Sequence, residues 1–375
     1  MRRTTIFIGS GSWETPGFGD SHPLAIPRVA SVVRLCEALE WLPPEEFRQS
    51  PRATIAELER FHTPAYVAAL AEADAAGIAS VAARTRFGIG TRENPLFPGV
   101  FARAAAAVGG SLLAADLAVR GHLCFHPEGG THHGRPDRAS GFCYFNDPVF
   151  AVRRLLERGV DPVLYVDLDA HHGDGVQEAF RGDPRVHTVS IHERGRWPYT
   201  GAAADRGGGR SWNFPVPAGF GDGDLEFLMR EAVLRIAARV APAGIVVVCG
   251  TDGLAGDPLS GLALGNAALW DAVLALVATA PAAVVLGGGG YNPWTLARAW
   301  TGLWARLSGR PIPDTLPEAA RRVLAGLACD LIDEDRIDPA WLTTLADAPR
   351  AGAVRAGAVR AEVRDLVPDW EVVTT

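Results

Sequence analysis

The sequence predicts an α/β protein built on a mostly parallel sheet with helices on both faces. Three observations carry that expectation. Short β-prone apolar runs alternate with helical patterns along most of the chain, the arrangement that closes into a covered parallel sheet. The strand candidates, at 122–125 (HLCF), 163–168 (VLYVDL), 186–191 (VHTVSI), 244–249 (GIVVVC) and 282–286 (AAVVL), are near-continuous apolar runs, as strands buried on both faces require. Polar residues gather at the ends of these runs: Asp167 to Asp174, Ser190 and His192, Asp252, and Gly287 to Tyr291. In such sheets ligands bind beyond the carboxyl ends of the strands.

In chain order, TTIFI (4–8) reads as a first strand, followed by a Gly/Ser/Pro loop over 9–23 and a helix over 28–41. Thr54 and Glu57 form a capping box that opens a short helix. A second helix over 64–77 stops at glycine. Residues 84–99 read as a long loop, a length often reserved for function. An Ala-rich helix spans 99–120, and further helices are expected at 148–158, 174–181, 224–241, 263–280 and 294–308. The Gly-rich stretch 195–212 reads as a loop lining the rim. Beyond 310 the pattern fades, and AGAVR-AGAVR (351–360) is low-complexity, so the chain divides into a domain at 1–330 and a helical or low-complexity extension at 331–375.

Composition narrows the function classes. The chain has 375 residues, 48% hydrophobic and 21% charged, as an ordinary globular protein does. A net charge of −7 supplies no basic field, so nucleic acid is not an expected partner. Every basic residue is Arg; there is no Lys. The five cysteines lie far apart without a C-x-x-C pair and read as reduced core thiols. There is no signal-peptide pattern, and no apolar stretch is read as approaching the ~20 residues of a membrane span. These features predict a reducing cytoplasm and no membrane partner.

The chemistry gathers around VLYVDLDAHHGDG (163–175). Asp167, Asp169 and His171 are spaced i, i+2, i+4, so on extended chain their side chains share one side. Two carboxylates and an imidazole at the end of a buried strand are costly unless paired or bound to a cation. The plainer alternative is a turn with helix-cap residues. Asp252, after GIVVVC, offers a third ligand, and Asp-His-Asp with an open position is the pattern of a catalytic rather than a structural zinc. His132 and His133 follow HLCF at a turn, with Asp167 and Asp174 available to fix their tautomers. The glycines of LGGGGYN (286–292) lack a following Gly-Lys-Ser/Thr, which argues against a P-loop. They permit close backbone approach and a hinge, and they carry Tyr291, a phenol suited to donate to a developing oxyanion.

Five segments, GGTHHGRPDRASGFCYFND (129–147), VDLDAHHGDG (166–175), SIHE (190–193), TDGLAGDPLSGLAL (251–264) and LGGGGYN (286–292), closely resemble the histone deacetylase superfamily. It includes zinc-dependent lysine deacetylases, acetylpolyamine amidohydrolases and acetoin-utilisation proteins. The resemblance covers roughly residues 20–310 and implies an arginase/deacetylase-like three-layer fold with a central, mostly parallel eight-stranded sheet. It implies that Asp169, His171 and Asp252 hold one Zn2+, that Asp167 and Asp174 back His132 and His133, and that Tyr291 is the catalytic tyrosine. It also implies that Phe142 and Trp197 wall an acyl-lysine tunnel, that Gly141 accepts from the scissile amide, and that Glu93 grips the substrate backbone. Carbonyls of Asp167, Asp169 and His171, with Ser190 and Ile191, match a structural K+ site. Thr131, Gly134, Thr251, Glu93 and Trp197 depart from the usual family residues.

The expected activity is hydrolytic removal of an acetyl or acyl group from an amine, with an acylated lysine peptide as first choice and a small acylated amine such as an acetylpolyamine as the alternative. Leu259 stands where polyamine-selective relatives carry Glu, which favours the peptide. A binuclear manganese ureohydrolase would need carboxylates at 173 and 254, where the chain has Gly173 and Leu254. A non-catalytic binding protein would not need the intact Tyr291, His133 and ligand set. The sequence leaves a homo-oligomer open.

Overall fold

The computed structural model describes residues 3–11, 18–19, 22–348 and 360–368. Its centre is one eight-stranded sheet: β1 (Thr5–Gly9), β2 (Phe47–Gln49), β3 (Leu123–His126), β4 (Val163–Asp167), β5 (Val186–Glu193), β6 (Ser211–Val216), β7 (Gly244–Val248) and β8 (Ala282–Leu286). The spatial order is β2-β1-β3-β8-β7-β4-β5-β6, and every pairing is parallel. This is the expected arginase/deacetylase-like α/β architecture.

Strand periodicity divides the core. Leu164, Val166, Ile245, Val247 and Val285 point to one face, where they pack with Trp270, Trp300 and Trp304 from the helices Asn266–Val277 and Pro293–Ser308. Val163, Tyr165, Val246, Val248 and Val284 point to the other, against Ala114 and Ala115 of the helix Val100–Val119 and Val149, Val152 and Leu155 of the helix Asp147–Glu157. The indole N–H of each of these three finds a carbonyl: Trp270 donates to Ala299 (2.7 Å), Trp300 to Cys249 (3.0 Å) and Trp304 to Trp41 (2.8 Å).

Several local expectations change. The strands β2 and β6 are additions, and both are sheet edges. FRQ is three residues with no apolar alternation, and β6 carries Pro215, a residue that sheets confine to edges. The loop expected over 84–99 begins only after the helix Val81–Phe87, which Gly88 closes in left-handed conformation. Val100–Val119 is long and apolar enough to cross a membrane by length and composition, contrary to the expectation. Here it packs as a core helix, with Ala105 to Leu112 and Ala114, Ala115 and Ala118 largely buried. The stretch beyond 330 packs on the same body: Ile332 and Trp341 meet Trp294, and Leu345 joins Leu35, Ala297 and Leu324. Most of the AGAVR repeat lies outside the described residues. In the segment 360–368, Val363 is buried in the main core.

Candidate active site

Five neighbouring strands, β3-β8-β7-β4-β5, direct their carboxyl ends to one rim, and every predicted metal or catalytic residue follows one of them. Asp169 and His171 follow β4, Asp252 follows β7, and one ligand atom from each lies within 4.8 Å of the others, all buried. His171 Nδ1 is 2.9 Å from an Asp252 carboxylate oxygen and 3.2 Å from one of Asp169. Backbone donors fix both acids: Ala170 N–H donates to Asp252 (2.9 Å) and His171 N–H to Asp169 (2.9 Å). Gly289 N–H also reaches Asp169.

The electrostatics of this cluster are those of a cation site. Burial alone would neutralise His171, but its bonds to Asp169 and Asp252 raise it to about 10. Burial and the nearby Asp169 charge push Asp252 up to about 6. Asp169 is held low: the charge of His132 and the bonding of His171 overcome its burial. Two carboxylates and an imidazole nitrogen converging in a dry site fit a divalent metal, whose charge they neutralise.

The two histidines sit side by side, ring centroids 3.9 Å apart. His132 Nδ1 is 2.7 Å from Asp167, and His133 Nδ1 is 2.8 Å from Asp174, which also pairs with Arg135. Their environments drive them apart. Burial disfavours charge on both, yet the carboxylates of Asp167 and Asp169 raise His132 to about 9. Burial and the neighbouring His132 charge depress His133 to about 3. The turn that carries them is held by residues the sequence reading did not single out. Asp147 accepts from Gly130 N–H (3.1 Å) and Thr131 N–H (2.7 Å), and Asn146 Nδ2 donates to the His132 and Gly134 carbonyls. FND at the start of a helix was the available signal, since Asn146 also caps Val149 N–H (3.2 Å).

Tyr291 follows β8 through four glycines that are close-packed in place of the expected hinge. A β-carbon at Gly287 would collide with the Pro127 carbonyl, at Gly289 with Asp252, and at Gly290 with Thr251 Oγ1. Tyr291 N–H donates to Asp257 (2.7 Å), another residue not anticipated. Burial and the Asp252 and Asp169 charges raise the phenol well above its ordinary value, so it stays protonated.

A cavity of about 520 Å³ reaches these groups. Phe142, Trp197, Gly141, Leu259 and Glu93 line it, together with His133, His171 and Tyr291. Trp197 packs on His133 (4.6 Å between ring centroids) and Phe142 faces Tyr291 (6.0 Å). Gly141 cannot carry a side chain, because a β-carbon would enter the Trp197 ring. Its N–H donates to Glu93 (2.8 Å) and its carbonyl accepts from the Cys143 thiol (3.2 Å). Ser190 is the register partner of Asp167, and its hydroxyl bonds His192 Nδ1 (2.9 Å); Ile191 is buried beside it. Position 173 is sterically closed to a carboxylate, since a β-carbon on Gly173 would strike Asp167. Leu254 is buried in the core, which also leaves 254 without an acid.

Comparison with known proteins identifies the family. The family model described as the histone deacetylase domain matches residues 22–307. The chain is 34% identical over 322 residues to the acetoin utilization protein AcuC of Bacillus subtilis, covering 82% of this chain and 83% of the relative. It is 34% identical over 309 residues to histone deacetylase 8 of Xenopus tropicalis, covering 80% and 83% respectively. The crystal structure of an HDAC homolog from Aquifex aeolicus superposes with a TM-score of 0.91 at 34% identity over 100% of both chains, as does an HDAC homolog complexed with SAHA. With the domain match, the two relatives and the superposed sheet in agreement, the chain belongs to the histone deacetylase family.

Proposed function

We propose that the chain is a zinc-dependent amidohydrolase that removes an acyl group from the side-chain amine of lysine in peptides or proteins. The observation that carries this reading is the buried Asp169–His171–Asp252 cluster at the end of a cavity walled by Phe142 and Trp197. Zinc suits two carboxylates and one imidazole with room for substrate and water. When bound it supplies Lewis-acid polarisation of the acyl carbonyl and of water. His133, neutral at working pH and oriented through Nδ1 by Asp174, takes the water proton at Nε2 and delivers it to the leaving amine. His132, cationic against Asp167 and Asp169, adds positive charge where negative charge develops. The Tyr291 phenol donates to the oxyanion.

Phe142 and Trp197 hold the lysine methylenes, Gly141 and Glu93 bind the amide and backbone, and Leu259 puts an apolar side chain where polyamine-selective relatives carry an acid. A structural K+ held by carbonyls of Asp167, Asp169 and His171 with Ser190 and Ile191 belongs to the same reading, supported by the pairing of Asp167 with Ser190. The solved neighbour complexed with SAHA supports occupancy of such a pocket by a small molecule. Incubating zinc-loaded protein with a fluorogenic acetyl-lysine peptide and with N-acetylated polyamines tests the assignment. Faster turnover of the peptide is expected; turnover of the polyamine alone would move the substrate class, and turnover of neither would end the reading.

A further inference from the structure

Tyr199 stands at the outer end of the cavity described above, and its backbone and exposure are both unusual. It lines the cavity together with His133, His171 and Tyr291, yet those three are buried while Tyr199 is 76% exposed, which puts it at the mouth. Its φ is +63°, the left-handed region in which a bulky aromatic is a true outlier and glycine is free of strain. The loop is tethered on both sides. Trp197 packs on His133, Tyr199 N–H donates to the Arg196 carbonyl (2.8 Å), the Thr200 hydroxyl bonds His172 (2.8 Å), and His192 bonds the Gly201 carbonyl (3.0 Å). These tethers impose the turn, and glycine would satisfy it without cost. The chain places a phenol there instead, with ring and hydroxyl unpartnered among the described residues. A strained conformation held at the mouth of an active site is a functional signal.

Most of the charges around the ring are already paired. Arg196 grips Glu193 through two nitrogens, Glu193 also accepts from Gly261 N–H (2.8 Å), and Arg194 pairs with Glu362 (3.2 Å), while Glu93 spends one carboxylate oxygen on Gly141 N–H and keeps the other for the substrate backbone. Beyond the Glu93 contact to the backbone, what the mouth offers the side chains flanking the acyl-lysine is therefore an aromatic face.

We propose that Tyr199 is a specificity-determining residue whose ring stacks on an aromatic side chain next to the acyl-lysine of a peptide substrate. This rests on the acyl-lysine reading of the site. The experiment compares kcat/KM for zinc-loaded wild type, Tyr199→Gly and Tyr199→Phe on three acetyl-lysine peptides: glycine on both sides, phenylalanine before, and phenylalanine after. Wild type should favour one phenylalanine peptide over the glycine peptide by about five-fold, the scale of one aromatic pair. Tyr199→Gly, which relieves the backbone, should bring that ratio close to one. Tyr199→Phe should keep it, since the hydroxyl has no partner. Circular dichroism melts of the variants check that the loop change leaves the fold intact. Equal kcat/KM on all three peptides in wild type, or a preference that survives in Tyr199→Gly, would overturn the inference while leaving the deacetylase reading standing. No turnover on any peptide would overturn both.

Discussion

Replacing Tyr291 with phenylalanine isolates the oxyanion donor from everything else the residue does. Its backbone N–H is tied to Asp257 at 2.7 Å and its ring faces Phe142 at 6.0 Å between centroids, and neither contact needs the hydroxyl. The hydroxyl itself makes no hydrogen bond among the described residues and meets the cavity. Removing it therefore orphans no buried partner, and stability should stay within about 0.5 kcal/mol of wild type, as for substitutions that disturb no packing or bonding. Turnover is another matter. Loss of one preorganised oxyanion donor typically costs about 10²–10³ in kcat, about 2.7–4 kcal/mol of barrier. Stopped assays on a fluorogenic acetyl-lysine peptide, alongside thermal melts and metal analysis, measure all three quantities. A kcat within about threefold of wild type in a fully metal-loaded variant would refute the assigned role.

Three further outcomes follow from the same geometry. In apoprotein His171 is raised to about 10, so near neutral pH it must shed a proton when a metal binds; Asp252, raised to about 6, adds a second proton only at lower pH. Zinc affinity should climb about tenfold per pH unit between about pH 6 and 8 and more steeply below, and calorimetry in buffers of different ionisation enthalpy should detect release of about one proton; a pH-independent affinity would contradict this. Asp174→Asn removes the charge that orients His133 and pairs with Arg135, so kcat should fall about 10²-fold with metal content unchanged; wild-type kcat would show that His133 needs no such partner. Arg298 is fully buried and bonds Asp347 (2.7 Å) and the Thr344 and Ala346 carbonyls, so Arg298→Ala should cost about 3 kcal/mol or more in denaturant unfolding; a loss under about 1 kcal/mol would mean that this anchor of the 344–347 segment is dispensable.

The sheet was legible because its central strands are buried on both faces and so read as apolar runs. The run AAVVL matches β8 residue for residue. The edges were harder to read for two different reasons: β2 is three residues that bury little, while β6 is largely buried but interrupts its apolar Trp212, Phe214 and Val216 with Pro215 and directly follows a Gly-rich stretch that reads as loop. The site was legible where spacing and chemistry coincide, as in the i, i+2, i+4 set after β4. The supports were harder to see. Asp257 and Asp147 act through backbone N–H groups distant in sequence, and an aspartate in a turn looks the same whether or not it holds something. The four glycines before Tyr291 suggested a hinge, whereas close packing against Asp252 and Thr251 explains them. Burial explains Thr251 in turn, because its side chain fills the space beneath Gly290.

The central claim is that Asp169, His171 and Asp252 together hold a single catalytic divalent metal. The most direct test is metal content per chain by mass spectrometry after zinc repletion and desalting, for wild type and Asp252→Asn. About one zinc in wild type and nearly none in the variant is the predicted result. Two metals per chain, or equal loading in both proteins, would contradict it.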